Sequence, residues 1–260
     1  MSAHTDPSRL SLREFAERFQ DQMVPLTNTF SYFALAVVLG EDDVREYLDE
    51  PIAALPPAIA AALPKVSLVL APHVERANGK EKTAPDYISV DKPAEGRSRF
   101  STALDLAGKA VLLAFGIKDQ DVADYHYSFY QEVAELMAGR WSEEQQSQYF
   151  SLLREELSAN IHGEVDEASW HLKQALLRRQ TNVRRETKAF REYARQSFVD
   201  TLTLYLHGIC CDIDVDTGPR QLPSRCLRRR LVLVESLFPP PTGYAVFPEE
   251  LGSPPPDSHA

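Results

Sequence analysis

The chain has 260 residues, 28 basic against 38 acidic side chains, a formal net charge of -10 and 43% hydrophobic residues. That is the arithmetic of a globular protein, enough for one large domain or two small ones, and its acidity disfavours non-specific affinity for DNA or RNA. No apolar run approaches the roughly 20 residues that span a bilayer, and three cysteines, two of them adjacent at Cys210 and Cys211, make no disulfide framework, so a cytoplasmic setting is expected.

In chain order, residues 1–9 read as a disordered N-terminus without the apolar core of a secretory signal. Residues 10–39 read as helix, opened by Ser11 with Glu14 three positions later as a capping box and stopped by Gly40. A short acidic helix follows over 41–48, and the four prolines between 51 and 64 permit only short helical turns. Four compact apolar runs come next, at 66–70, 87–90, 99–103 and 110–115, with Asn78-Gly79 and Glu95-Gly96 as turn signals. Most of the gaps are too short for crossover helices, so these runs predict a small, largely antiparallel four-strand sheet.

Helix is expected again over 121–137 and from Ser142 to about 159. Residues 166–206 contain neither Gly nor Pro and predict one very long helix, or two with a break near Thr181-Asn182. Residues 209–215 alternate as an extended segment, Gly218-Pro219 turns the chain, and 224–237 form the last helix. The fold class expected is α+β, predominantly helical, with a single globular domain over 10–238: helical at 10–64, sheet at 65–116, helical at 117–238. Residues 239–260 form a proline-rich tail, seated on the surface as far as Phe247.

Charge is distributed unevenly. Residues 1–172 carry 15 basic and 28 acidic side chains, whereas 173–230 carry 13 basic and 6 acidic. Arg178, Arg179, Arg184, Arg185, Arg191 and Arg195, with Lys188, therefore make a candidate anion or partner surface, and Arg225, Arg228, Arg229 and Arg230 a second cluster on one broad side of the last helix. The alternative is that the long basic helix neutralises acidic neighbours.

Chemistry is most concentrated in the segment from His162 to His171. On a helix, Glu164, Glu167 and His171 share a face at i, i+3 and i+7, and carboxylate plus imidazole is a donor set for zinc, iron or manganese. Asp200, Thr203 and His207 repeat that spacing inside an apolar segment, where unpaired polar groups are costly, so they are expected to face other polar groups. His126, on the preceding helix, is placed to join His171 and His207 in a polar centre. His73 is a further donor at a strand end, and Cys210 or Cys211 reads as a small core residue or a single thiolate. The aspartates at 212, 214 and 216 do not fit a calcium loop.

The order of a strand-rich segment followed by helices bearing His and Glu resembles that of the single-domain zincin metallopeptidases. Their paired histidines with an intervening glutamate are absent, so no ligand position carries over. Glycine-rich phosphate loops and the Gly-x-Ser-x-Gly elbow are absent too.

The leading expectation is a metal-binding protein, with His126, His171, His207 and Glu164 as ligands to a divalent metal and Glu164, Glu167 and Asp200 as catalytic groups of a hydrolase or oxidoreductase. The alternative is a non-catalytic interaction or scaffold protein with a basic helical face. Its partner would be a small molecule or a protein; nucleic acid is disfavoured and no membrane span is expected.

Overall fold

A computed structural model describes residues 8–77, 85–179, 185–211 and 220–247. The fold is α+β and predominantly helical, with a four-stranded antiparallel sheet and a second sheet of five strands. The chain divides into two compact units: a sheet unit of Met1–Ile52 with Ala62–Glu132, and a helical unit of Ala53–Ala61 with Val133–Ala260.

The sheet unit opens with strand β1 (Arg9–Ser11) and helix α1 (Leu12–Phe19), capped by the Ser11–Glu14 box. The helix expected to reach residue 39 ends at Phe19. Pro25 cannot continue a helix, and the Thr27 hydroxyl accepts from the backbone N–H groups of Thr29 and Phe30 at 3.1 and 3.0 Å, which turns the chain. Strands β2 (Val24–Pro25) and β3 (Phe30–Ala34) take the place of the expected helix, the aromatic Phe-Ser-Tyr-Phe run favouring a pleated surface. Short helices α2 (Glu41–Val44), α3 (Glu50–Ala53) and α4 (Pro57–Ala62) lead to β4 (Lys65–Ala71).

Five strands follow: β5 (His73–Arg76), β6 (Asp86–Ser89), β7 (Ser98–Arg99), β8 (Ser101–Leu106) and β9 (Ala110–Gly116). They are shared between two sheets, in the orders β1-β6-β5-β7 and β2-β3-β4-β9-β8. The first is antiparallel throughout; in the second, β3, β4 and β9 run parallel. The parallel pairing of β3 with β4 is reached through the helical stretch between them, a connection that was hidden while residues 30–34 read as helix.

Alternation along β4 and β9 divides the apolar side chains between two faces. Val69, Ala71, Leu112 and Ala114 join Leu12, Phe15 and Ala16 of α1 in one buried cluster, with Val74 and Ile88 from the other sheet. On the opposite face Phe115 meets Tyr125 at 5.1 Å between ring centroids, and Phe30 meets Phe129 at 6.2 Å. Tyr125 and Phe129 lie on the first turns of α5 (Val122–Ala138).

The helical unit contains α6 (Glu143–Ser158), α7 (Glu167–Arg179), α8 (Lys188–Cys210) and α9 (Ser224–Leu237). The Gly- and Pro-free stretch is thus two helices; Thr181-Asn182 lies outside the described residues, and Thr187 caps α8 by accepting from Phe190 N–H at 3.2 Å. Helix α8 runs on to Cys210, so residues 209 and 210, expected to be extended, are helical; Cys211 has extended φ and ψ of -133° and 152°. Half-buried Trp141 and buried Tyr149 pack on Phe198, Tyr149 edge-on and Trp141 with its centroid 4.3 Å away. Past α9, Val246 is buried and Arg228 lies 4.4 Å above the Phe247 ring, so the tail is seated as far as that residue. Residues 212–219, with their aspartates and the Gly218-Pro219 turn, and 248–260 lie outside the described residues, as do Asn78-Gly79 and Arg184.

Candidate functional site

The residue that organises the helical unit is Arg230, completely buried on α9. A helix advances 100° per residue, so Arg230 turns away from Arg225, Arg228 and Arg229, and the expected four-arginine surface keeps only three members. Its guanidinium donates to Glu156 through Nε (3.1 Å) and Nη2 (2.6 Å), to Glu164 through Nη1 (2.6 Å) and Nη2 (3.0 Å), and to the Ser197 hydroxyl through Nη1 (2.7 Å). All five N–H groups of the guanidinium are thereby used.

Glu164 reaches this network because of the residue before it. Gly163 has φ +82°, and a Cβ there would sit 2.1 Å from the Gln221 carbonyl oxygen. The missing side chain lets the backbone lie against residues 220–222: Glu164 N–H donates to Arg220 O at 2.9 Å and Leu222 N–H to Glu164 O at 3.0 Å. Glu164 is therefore extended backbone, three residues ahead of α7, and the helical spacing to Glu167 and His171 does not apply to it. Its carboxylate also faces Lys173 Nζ at 3.1 Å and accepts from the Tyr193 hydroxyl, while Lys173 donates to Gly163 O at 2.8 Å. Burial alone would raise the Glu164 carboxyl; Arg230, then Lys173 and Tyr193, outweigh it and hold the group below the ordinary carboxylate range. Two cations and two carboxylates leave the cluster neutral.

Glu167 and His171 lie on the solvent side of α7, 3.3 Å from each other, with Arg220 at 3.4 Å from Glu167. The structure thus separates the exposed pair from buried Glu164. Asp200, on α8, is buried and accepts from Ser169 N–H at 3.2 Å and Gln196 Nε2 at 2.7 Å. Desolvation dominates there and pushes its carboxyl up to about 6. The Thr203 hydroxyl turns back to Val199 O at 2.8 Å, and His207 is half-buried in the last turn of α8. His126 is buried on α5 with Nε2 2.7 Å from Glu46 O; a carbonyl only accepts, so Nε2 carries a proton.

Of the arginines expected on the basic face, Arg178, Arg179 and Arg185 are exposed. Arg191 pairs with Glu186 at 3.5 Å, and Arg195 with Glu135. A groove of about 740 Å³ runs between α6 and α9 in the same unit. Leu152, Leu233 and Val232 form its apolar lining, Val232 being 48% exposed, and Arg225, Arg228 and Arg229 stand along α9 beside it. Residues 225, 228, 229, 232 and 236 recur at i, i+3, i+4, i+7 and i+11, so one stripe of the helix supplies that wall. Arg229 donates to Glu155 across the groove at 2.8 Å.

The Gly163 turn and the buried Arg230 were missed in the sequence. Gly163 could have been read as a close backbone approach, and Arg230 by its angular position among Cys226, Leu227, Leu231 and Val234. Comparison with family models, curated proteins and solved structures found no match to this chain. Among the described residues, no helix is long and apolar enough to cross a membrane.

Proposed function

We propose that this chain is a partner-binding protein whose α6–α9 groove receives an acidic amphipathic helical segment. The observation that carries this reading is an apolar lining of Leu152, Leu233 and Val232, the last 48% exposed, beside Arg225, Arg228 and Arg229 on α9. Leucine-like anchors of a guest helix would desolvate against that floor, and its acidic flank would meet Arg225 and Arg228.

The test is fluorescence anisotropy of a labelled synthetic helix with leucines at i, i+3, i+4 and i+7 and glutamates elsewhere, titrated with the full chain. Saturable, salt-sensitive binding that is lost in the Arg225→Glu/Arg228→Glu variant is expected. Equal binding of a lysine-substituted helix, or of the variant, overturns the reading.

A further inference from the structure

The sheet unit contains a cavity of about 180 Å³ where β9 ends beside the start of β5. Backbone bonds from Ile117 N–H to Ala71 O (2.9 Å) and from Lys118 N–H to Pro72 O (3.1 Å) hold the chain after β9 against the end of β4. Gly116 makes the approach possible: a Cβ there would fall 2.8 Å from the Val74 nitrogen and 3.1 Å from His73 Cα.

Three residues lining this cavity each hold a buried polar atom that has no hydrogen-bond partner among the described residues. They are His73 Nε2, Arg99 Nε and Gln120 Oε1. His73 itself is only 6% exposed. An unpaired buried polar atom costs about as much as a lost hydrogen bond, and interiors seldom keep even one without a reason. The two nitrogens and the acceptor oxygen belong to residues that line the same small space, and a ligand there would be the partner they lack.

The charges beside them set its sign. Lys92, Arg99 and Lys118 line the cavity against a single carboxylate, Asp119, which lies 3.2 Å from Lys92. Burial first, and then the charge of Lys118, lower the His73 pKa, so the imidazole is neutral near pH 7 and offers either an N–H or a lone pair according to tautomer. Gln120 Oε1 needs a donor, which a bare carboxylate lacks. The volume equals the liquid share of about six waters, room for a few heavy atoms and too little for a nucleotide.

We infer that this cavity binds a small oxyanion that also carries a hydroxyl, as a hydroxycarboxylate or hydrogen phosphate does. Arg99 and Lys118 would donate to its charged oxygens, and its hydroxyl would donate to Gln120 Oε1. The site is independent of the α6–α9 groove and stands or falls without it.

The experiment is a nuclear magnetic resonance titration of the full chain, following Arg99 Nε–H and the Lys118 amide during addition of sodium phosphate, glycolate, acetate or chloride at constant ionic strength. Saturable shifts are expected with phosphate or with glycolate, whichever of the two fits identifying the source of the oxyanion. Acetate, which lacks the hydroxyl, is expected to bind about tenfold more weakly than glycolate where glycolate binds, and chloride not at all. Lys118→Met, an exposed change that spares the core, should weaken binding by about tenfold. Linear, unsaturable shifts with every anion overturn the site, as does unchanged affinity in both Lys118→Met and Gln120→Met. Acetate binding as tightly as glycolate overturns the hydroxyl requirement.

Discussion

The Arg230 network and the His73 cavity are both buried polar clusters, yet one is closed and the other open. Around Arg230 every guanidinium N–H has an acceptor, and two cations meet two carboxylates. Around His73 three polar atoms have no hydrogen-bond partner among the described residues and positive charge is in excess. The difference teaches that buried charge is not by itself a sign of function: satisfaction decides. A closed cluster holds its elements in one arrangement and offers nothing to a ligand, whereas an open one gains most when a ligand supplies the missing partners.

The largest effect of a single substitution is expected at Arg230. Arg230→Met strands Glu156 and Glu164 without a cation of matching geometry, and a loss of about 3–5 kcal/mol is expected in urea denaturation. Adding Glu156→Gln to that variant should recover part of it, because Glu164 keeps Lys173 and no carboxylate is then left without a cation; no recovery would mean that shape, not charge, holds the cluster. Gly163→Ala comes next. Its Cβ would collide with the Gln221 carbonyl at φ +82°, and about 3 kcal/mol is expected to be lost, against about 1 kcal/mol for Gly108→Ala, which has the same sign of φ but open space.

Asp200 sharpens the comparison through pH. Its folded pKa, about 6, lies above the ordinary 3.8, so the folded state binds the proton more tightly. Its contribution is fully present below pH 4 and is lost as pH rises through 6, on the order of 2 kcal/mol. Thermal unfolding between pH 4 and 7 should show that decline, and Asp200→Asn should flatten it. The smallest effect is expected in the open cavity. Gln120→Met removes an unpaired oxygen, so the ligand-free protein should be unchanged or gain about 1 kcal/mol. A loss of similar size would show that Gln120 already has a partner, and would close the cavity as a site.

Local signals placed much of this fold correctly. The Ser11–Glu14 box and the start of α6 after Ser142 followed from capping chemistry that acts within a few residues. The apolar runs around β4, β6 and β9 were equally legible. The stretch after Phe19 was not, because alternating and helical patterns are hard to separate in a short aromatic run and Pro25 was not weighed as a stop. The assumed triad of Glu164, Glu167 and His171 had the right periodicity in the wrong secondary structure.

What the sequence determined by itself was therefore the element types with strong local signals, the α+β class, and the division between an acidic front and a basic segment. Tertiary structure alone decided which polar residues meet. Arg230 sits 74 residues beyond Glu156 and 66 beyond Glu164, and His73, Arg99 and Gln120 come together only once two sheets have formed. Periodicity assigns a side chain to a face but is blind to what the face meets, and the cost of burying a charge depends entirely on that partner.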